Sequence, residues 1–271
     1  MKSLWVHWPL LRREIALAKY LLLFLDYDGT LTPVVDDPSK AHLPISMKHL
    51  IQQLVSQPGV RVVVISGRRL KELKRLVGIK PLHYIGNHGL ELQGPRLRYV
   101  NPVALRERPL LQRIARHLKM RLKPIRGAWV EDKGLTLSIH FRKVKRSDRV
   151  RVKQIVQESI RPYRQTGRVR ATFGKMVLEI RPPVLWHKGK IVDWLMARGE
   201  KVFSAKKGLF PVYLGDDLTD ENAFALLRSK GLTIRVGPFT KRTLARYGLR
   251  SPQQVRVLLR RILAIRVGKV K

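Results

Sequence analysis

Short saturated apolar runs recur along the chain, and each stops abruptly on polar residues. Residues 21–25 read Leu, Leu, Leu, Phe, Leu and end on Asp26; residues 61–65 end on Ser66, Gly67 and Arg68; residues 83–85 open into Gly86, Asn87, His88 and Gly89; residues 211–214 end on Gly215, Asp216 and Asp217; residues 232–236 form a further run. Runs of this length suit parallel strands buried on both faces. Helices are predicted between them at 46–56, from the Ser-Gly-Arg turn to about 77, at 186–198, and from 252 to about 265, where Ser251 gives an N-cap and Pro252 a first helical position. The three prolines of residues 32–44 mark a loop in which Asp36 and Asp37 read as solvated charges.

The texture changes near Pro102 and changes back after Pro182 and Pro183. Residues 105–120 and 147–160 carry apolar residues at helical spacing, and strand-like pieces fall at 128–131, 136–142 and 168–180, the last broken at Gly174. Two helices set against four strands without strand–helix alternation predict a small α+β unit with an antiparallel sheet. The expected organisation is therefore an α/β parallel-sheet core made of residues 1–102 and 183–271, with an α+β domain, residues 103–182, inserted into it.

At 271 residues and 44% hydrophobic the chain is long enough and apolar enough for such a core. It has no cysteine, which excludes disulfides and thiolate metal sites and fits a cytoplasmic protein. No apolar stretch reaches the roughly 18 residues of a membrane span, and the N-terminal segment, interrupted by His7, Pro9, Arg12 and Arg13, reads as part of the fold instead of a signal peptide. The charge is unusual: 56 Lys and Arg against 19 Asp and Glu, a formal +37. That balance favours polyanions or a phosphorylated substrate. Nucleic acid is not the expected partner, because no helix-turn-helix, zinc or RNA-binding signature accompanies the charge; a polyanion-binding protein on the same scaffold is the alternative of another class.

Candidate chemistry sits at the strand ends, which a parallel sheet gathers along its carboxyl edge. Asp26 and Asp28 are too close to be tolerated without a cation or a proton, so they imply a metal site or an acid/base pair. Asp216, Asp217 and Asp220 read either as helix N-terminal caps or, converging with Asp26, Ser66 and Lys188, as parts of a phosphoryl-transfer site. Ser66 itself reads equally as a helix N-cap or as a phosphate donor at a helix N-terminus. His88 reads as a structural histidine or a sugar contact. The oxygen-only donor set suits Mg²⁺ and offers little to zinc.

The segments DYDGT, SGR, the Lys188 helix and GDDLTDE resemble, in order, the four motifs of the haloacid-dehalogenase (HAD) superfamily. GNHG, EDKGLTLSIHFR, GKMVLEIRP and HKGK further resemble the trehalose-6-phosphate phosphatase family, with Trp186 and His187 where many members carry Asn or Asp before the lysine. The resemblance implies a HAD-like Rossmannoid core with a cap domain and a Mg²⁺-dependent phosphatase that hydrolyses trehalose 6-phosphate. By it, Asp26 is the nucleophile and Asp28 the general acid/base, and Ser66 and Lys188 hold phosphoryl oxygens. Asp26, the Asp28 carbonyl and Asp216 bind the metal, Asp217 is a further contact, and Asp220 supports the loop. Asn87, His88, Glu131, Lys133, Arg142, Lys175 and Glu179 contact the sugar; the lesser reading of Glu131 and Glu179 is that they neutralise nearby arginines. Sucrose 6-phosphate or a glycosyl-phosphoglycerate are the alternative substrates. A monomer is expected, with a trehalose-phosphate synthase as functional neighbour.

Overall fold

The computed structural model describes residues 1–35, 40–80, 82–95, 97–174, 176–204, 208–239 and 242–268; Asp36, Asp37 and Lys175 lie outside the described residues. The chain divides into two compact units, residues 1–99 with 186–271, and residues 100–185.

The first segment forms β1 (Lys2–Ser3), α1 (Trp8–Leu17), β2 (Tyr20–Asp26), α2 (Ile45–Ser56), β3 (Val60–Ile65), α3 (Leu70–Val77), β4 (His83–Gly86), β5 (Glu91–Gly94) and β6 (Leu97–Val100). The second unit contains α4 (Pro102–Arg106), α5 (Arg108–Leu122), β7 (Trp129–Asp132), β8 (Leu137–His140), α6 (Arg149–Gln165), β9 (Arg170–Gly174) and β10 (Val177–Arg181). The returning segment adds α7 (Lys188–Ala197), α8 (Gly199–Phe203), β11 (Leu209–Gly215), α9 (Glu221–Leu227), β12 (Leu232–Val236), β13 (Tyr247–Leu249) and α10 (Pro252–Val267).

Among the described residues the first unit holds a sheet of order β1-β13-β12-β11-β2-β3-β4-β5-β6. Neighbours from β1 to β4 run parallel, and β5 runs antiparallel to β4. The main sheet is thus largely parallel, as expected from sequence, with an antiparallel β5 toward one edge. Asn87 and His88 reverse the chain after β4 by adopting φ of 48° and 56°, and the polar hairpin strands β5 and β6 have no apolar run to announce them. Strand alternation divides β2 between two cores. Leu21, Leu23 and Leu25 pack with residues of α1, α2, α3 and α10, whereas Leu22 and Phe24 pack with those of α7 and α9. The side chain that continues the second series is Asp26, so the fold aims it at the face covered by α7 and α9.

The N-terminal stretch takes part in the fold as expected, and one reading at the end of β3 is corrected. The N-terminal stretch contains the unforeseen strand β1 and helix α1, in which Pro9 occupies an opening position, where its missing N–H costs nothing. Ser66 is not the cap of α3, which starts four residues later with Arg69 at the cap position.

The chain leaves the first unit at Tyr99 and returns at Trp186, and the Tyr99 ring centroid lies 5.9 Å from that of Trp186 and 5.2 Å from that of Trp194. The second unit has a sheet of order β7-β8-β10-β9, antiparallel throughout, with α5 and α6 supplying its core residues.

Candidate active site

The carboxyl ends of β2, β3, β4 and β11 carry Asp26, Ser66, Asn87 and Asp216. Asp26 is buried, and its Oδ1 accepts from the buried Lys188 ammonium. Lys188 is the first residue of α7, the helix toward which the pleat of β2 points. Its Nζ also donates to Asp220 Oδ1 at 2.8 Å. Asp220 is held from three sides, accepting from Lys188, from the Tyr213 hydroxyl at 2.7 Å and from the Asp217 backbone N–H at 3.0 Å. It therefore supports the loop and also anchors the lysine, a contact that sequence reasoning did not foresee.

Asp26, Asp216 and Asp220 each bring a carboxylate oxygen within 4.8 Å of the others. Gly29 makes that crowding geometrically feasible: with φ of 83°, it lies where a Cβ would sit 2.2 Å from Asp216 Oδ2. Burial, and then the Asp220 and Asp216 charges, push the Asp26 carboxyl well above the usual range against the pull of Lys188. Burial, and then Asp220, raise Asp216 to about 7. Burial alone would lower Lys188, but Asp220 and Asp26 hold it above its usual value. The three carboxylates face one ammonium, and Asp216 Oδ1 is buried with no hydrogen-bond partner among the described residues. An all-oxygen cluster short of positive charge, with an oxygen left over, fits a hard divalent cation.

Asp217 is differently occupied. It is exposed, and its carboxylate closes a capping box over residues 218–220. The Asp28 carboxylate is also engaged, accepting from Arg68 Nε at 2.8 Å and from an Arg68 amino group at 2.7 Å. Ser66 Oγ lies 3.4 Å from Asp28 Oδ2 and accepts from the Arg68 N–H at 3.1 Å. Asn87 is buried and donates to Glu91 Oε1, which also accepts from the first N–H of α3, so its amide ties the turn to that helix. His88 stacks close over Gly67, where a Cβ would lie 2.5 Å from its ring. The Trp186 indole N–H donates to the Gly89 carbonyl at 2.7 Å, which ties the chain just before Lys188 to the turn after β4.

The second unit gathers its own polar cluster by strand register. Glu131, Ser138, Glu179 and Thr172 are successive partners across β7, β8, β10 and β9, on the sheet face opposite Val130, Ile139, Leu178 and Ile180 of the core. Glu131 Oε2 lies 2.9 Å from His140 Nε2 and 3.8 Å from Lys133 Nζ, which is 4.0 Å from Glu179 Oε1. Arg181 pairs with Glu179, and the Trp129 ring stacks on His140 at 4.1 Å. Arg142 is exposed just beyond β8. His140, Trp129, Arg181 and Arg68 were missed from sequence. His140 and Trp129 become visible only once the β7–β8 register is known.

The family model for trehalose-phosphatase matches residues 24–253. The chain belongs to the trehalose-phosphatase family. It is 34% identical over 262 residues to trehalose 6-phosphate phosphatase RA3 of Zea mays, covering 91% of this chain and 71% of that protein. It is 32% identical to trehalose-phosphate phosphatase B of Arabidopsis thaliana, covering 92% and 67%. The C-terminal domain of C. albicans trehalose-6-phosphate phosphatase matches the structure with a TM-score of 0.79 at 26% identity, covering 95% of this chain and 97% of that one. A haloacid dehalogenase-like hydrolase from Bacteroides thetaiotaomicron, at a TM-score of 0.61 and 18% identity over 90% of this chain and all of that one, shares the fold. The α/β, HAD-like fold expected from the motifs is therefore the fold of the chain, and family membership makes it a phosphatase. Among the described residues no helix is long and apolar enough to cross a membrane.

Proposed function

We propose that the chain hydrolyses trehalose 6-phosphate to trehalose and inorganic phosphate, using Mg²⁺. The observation that carries the reading is the burial of Asp26 at the end of β2 between Lys188 and the Asp216/Asp220 pair, in a chain whose similar relatives are trehalose-phosphate phosphatases. Asp26, Asp216 and the Asp28 carbonyl would hold the Mg²⁺, with Asp220 alongside them. Once bound, the ion supplies positive charge to the phosphoryl oxygens as the transition state spreads negative charge over them.

The chain's own groups do the rest. An Asp26 carboxylate oxygen attacks phosphorus as the bond to the sugar oxygen breaks, and the Asp28 carboxyl gives that oxygen its proton. Water then attacks the aspartyl phosphate, its proton passes to Asp28, and the Asp26–phosphorus bond breaks. Lys188 fixes the Asp26 carboxylate and, with Ser66, holds phosphoryl oxygens. We assign recognition of the disaccharide hydroxyls to Glu131, Lys133, Arg142, Lys175 and Glu179 of the second unit, together with Asn87 and His88. Carboxylates accept paired hydrogen bonds from vicinal hydroxyls, and the β7–β8–β10 register supports this assignment by lining up Glu131 and Glu179. A cytoplasmic monomer supplied by a trehalose-phosphate synthase completes the proposal. Phosphate release across a panel of trehalose 6-phosphate, sucrose 6-phosphate and glycosyl-phosphoglycerate tests the substrate, with EDTA and Asp26→Asn as controls. Preference for another sugar phosphate overturns the substrate, and activity surviving Asp26→Asn overturns the chemistry.

A further inference from the structure

One buried cation has no part in the chemistry described so far. Arg68 is 7% exposed, an unusual setting for a guanidinium in a chain with so many solvated ones. Nε and one amino group form a two-point fork on Asp28, at 2.8 and 2.7 Å, and the other amino group goes to Glu72, one helical turn on. Its backbone is fixed at both ends, the N–H donating to Ser66 Oγ at 3.1 Å and the carbonyl accepting from the Asn87 N–H at 2.8 Å. The guanidinium also lies 5.5 Å from the centroid of the Tyr27 ring, itself pinned by a 2.7 Å bond from its hydroxyl to the Ala41 carbonyl. Three of its N–H donors go to carboxylates, two of them to Asp28, which arranges Arg68 to act through Asp28.

We infer that Arg68, braced by Glu72, is a positioning residue for the proton-transfer role of Asp28. The inference rests on the phosphatase chemistry proposed above. A two-point fork fixes both the place and the plane of a carboxylate, which a lysine cannot do. The fork keeps the Asp28 carboxyl in one place and plane while its proton moves to the departing sugar oxygen and while a proton arrives from the attacking water in the next step. Arg68 neither gains nor loses a proton in either step.

The consequence is a dependence on the leaving group. A sugar alkoxide needs a proton as it departs, whereas p-nitrophenolate does not, and kcat/KM covers only the steps through release of the alcohol. Removing Arg68 should lower kcat/KM with trehalose 6-phosphate by about 30- to 100-fold, within the range of general acid–base effects. With p-nitrophenyl phosphate the loss in kcat/KM should shrink to about fivefold or less, while KM for the sugar phosphate stays within about threefold. Arg68→Gln and Arg68→Lys should both show the pattern, and Glu72→Gln, at a site whose side chain is 27% exposed, should show it more weakly even if the Arg68 variants fold poorly. Equal losses on both substrates, or no loss in Glu72→Gln and Arg68→Lys alike, would overturn the assignment while wild-type turnover leaves the phosphatase reading standing. Absence of wild-type, Mg²⁺-dependent turnover would overturn both.

Discussion

Asp216→Asn should make the metal-free protein more stable at neutral and alkaline pH. Burial, followed by the neighbouring Asp220 and Asp217 charges, raises the Asp216 carboxyl from 3.8 to about 7, with Lys188 and the hydrogen bond to Asp26 pulling the other way. A shift of that size corresponds to roughly 4 kcal/mol, an upper value because solvent reaching the half-buried carboxylate screens it. The sign follows from proton uptake. Below pH 3.8 both folded and unfolded chains hold the proton and the group has no effect. Between 3.8 and 7 the folded chain keeps a proton that the unfolded chain has lost, so stability falls as pH rises, and above 7 the full penalty is present. Burial, followed by the Arg61 charge, lowers His83 to about 4, and its contribution runs the opposite way, present above pH 6.5 and lost as the pH falls toward 4. That term is common to both proteins and cancels in their difference. In EDTA at pH 8, Asp216→Asn should therefore melt roughly 10 °C above wild type, the gap closing toward pH 4. Saturating Mg²⁺ at about 100 times its Kd should restore about 2.7 kcal/mol to wild type and less to the variant. Urea or thermal melts across pH with and without Mg²⁺ read all of this out. A variant no more stable than wild type at pH 8 in EDTA would refute the reasoning.

Lys188→Met should cost roughly 3–5 kcal/mol, the usual effect of stranding a buried partner charge, and urea midpoints above pH 8 should show it. Gly67→Ala places a Cβ 2.5 Å from the His88 ring, which forces that side chain or the turn aside; a loss of about 1–3 kcal/mol is expected in thermal melts, and an unchanged melting curve would mean that His88 moves freely. Glu131→Gln and Glu179→Gln should each raise KM for trehalose 6-phosphate about tenfold while changing kcat less than about threefold, and should leave p-nitrophenyl phosphate kinetics almost untouched. Steady-state kinetics on the two substrates would show whether these carboxylates belong to sugar recognition.

How far the sequence carried the reading depended on where each contact's signal lies. The run that ends at Asp26 is local and saturated, so the strand and the place of its terminal carboxylate at the carboxyl end of the sheet could be read directly, and β11 followed from the same pattern. The pairing of Asp26 with Lys188 joins residues 162 positions apart; only the ordered motifs brought them together, because no local pattern marks Lys188 among 56 basic residues. Arg68 was invisible for the same reason: its sequence neighbours are those of a surface turn, and its burial comes from Glu72, Tyr27 and the Asn87 backbone converging on it. The β5–β6 hairpin was hidden because Glu91, Gln93 and Arg98 interrupt the apolar pattern at the sheet's edge, where burial on both faces is not required. Asp217 and Asp220 sit in one motif yet have different tasks. Which of them faces inward is set by the capping box, a feature of backbone geometry that spacing alone does not encode.

The stacking of Tyr99 against Trp186 and Trp194 brings the two points where the chain crosses between units side by side and ties both to α7. The segment of residues 100–185 therefore departs and returns through one aromatic seam, and of the main sheet it holds only Val100, the last residue of β6. Such a seam is a natural splice site. On the assignment proposed above, exchange of residues 100–185 would replace the second unit's share of sugar recognition and leave Asn87, His88, Asp26 and Lys188 in place. Grafting a segment from a relative between Tyr99 and Trp186 is the corresponding route for redesign.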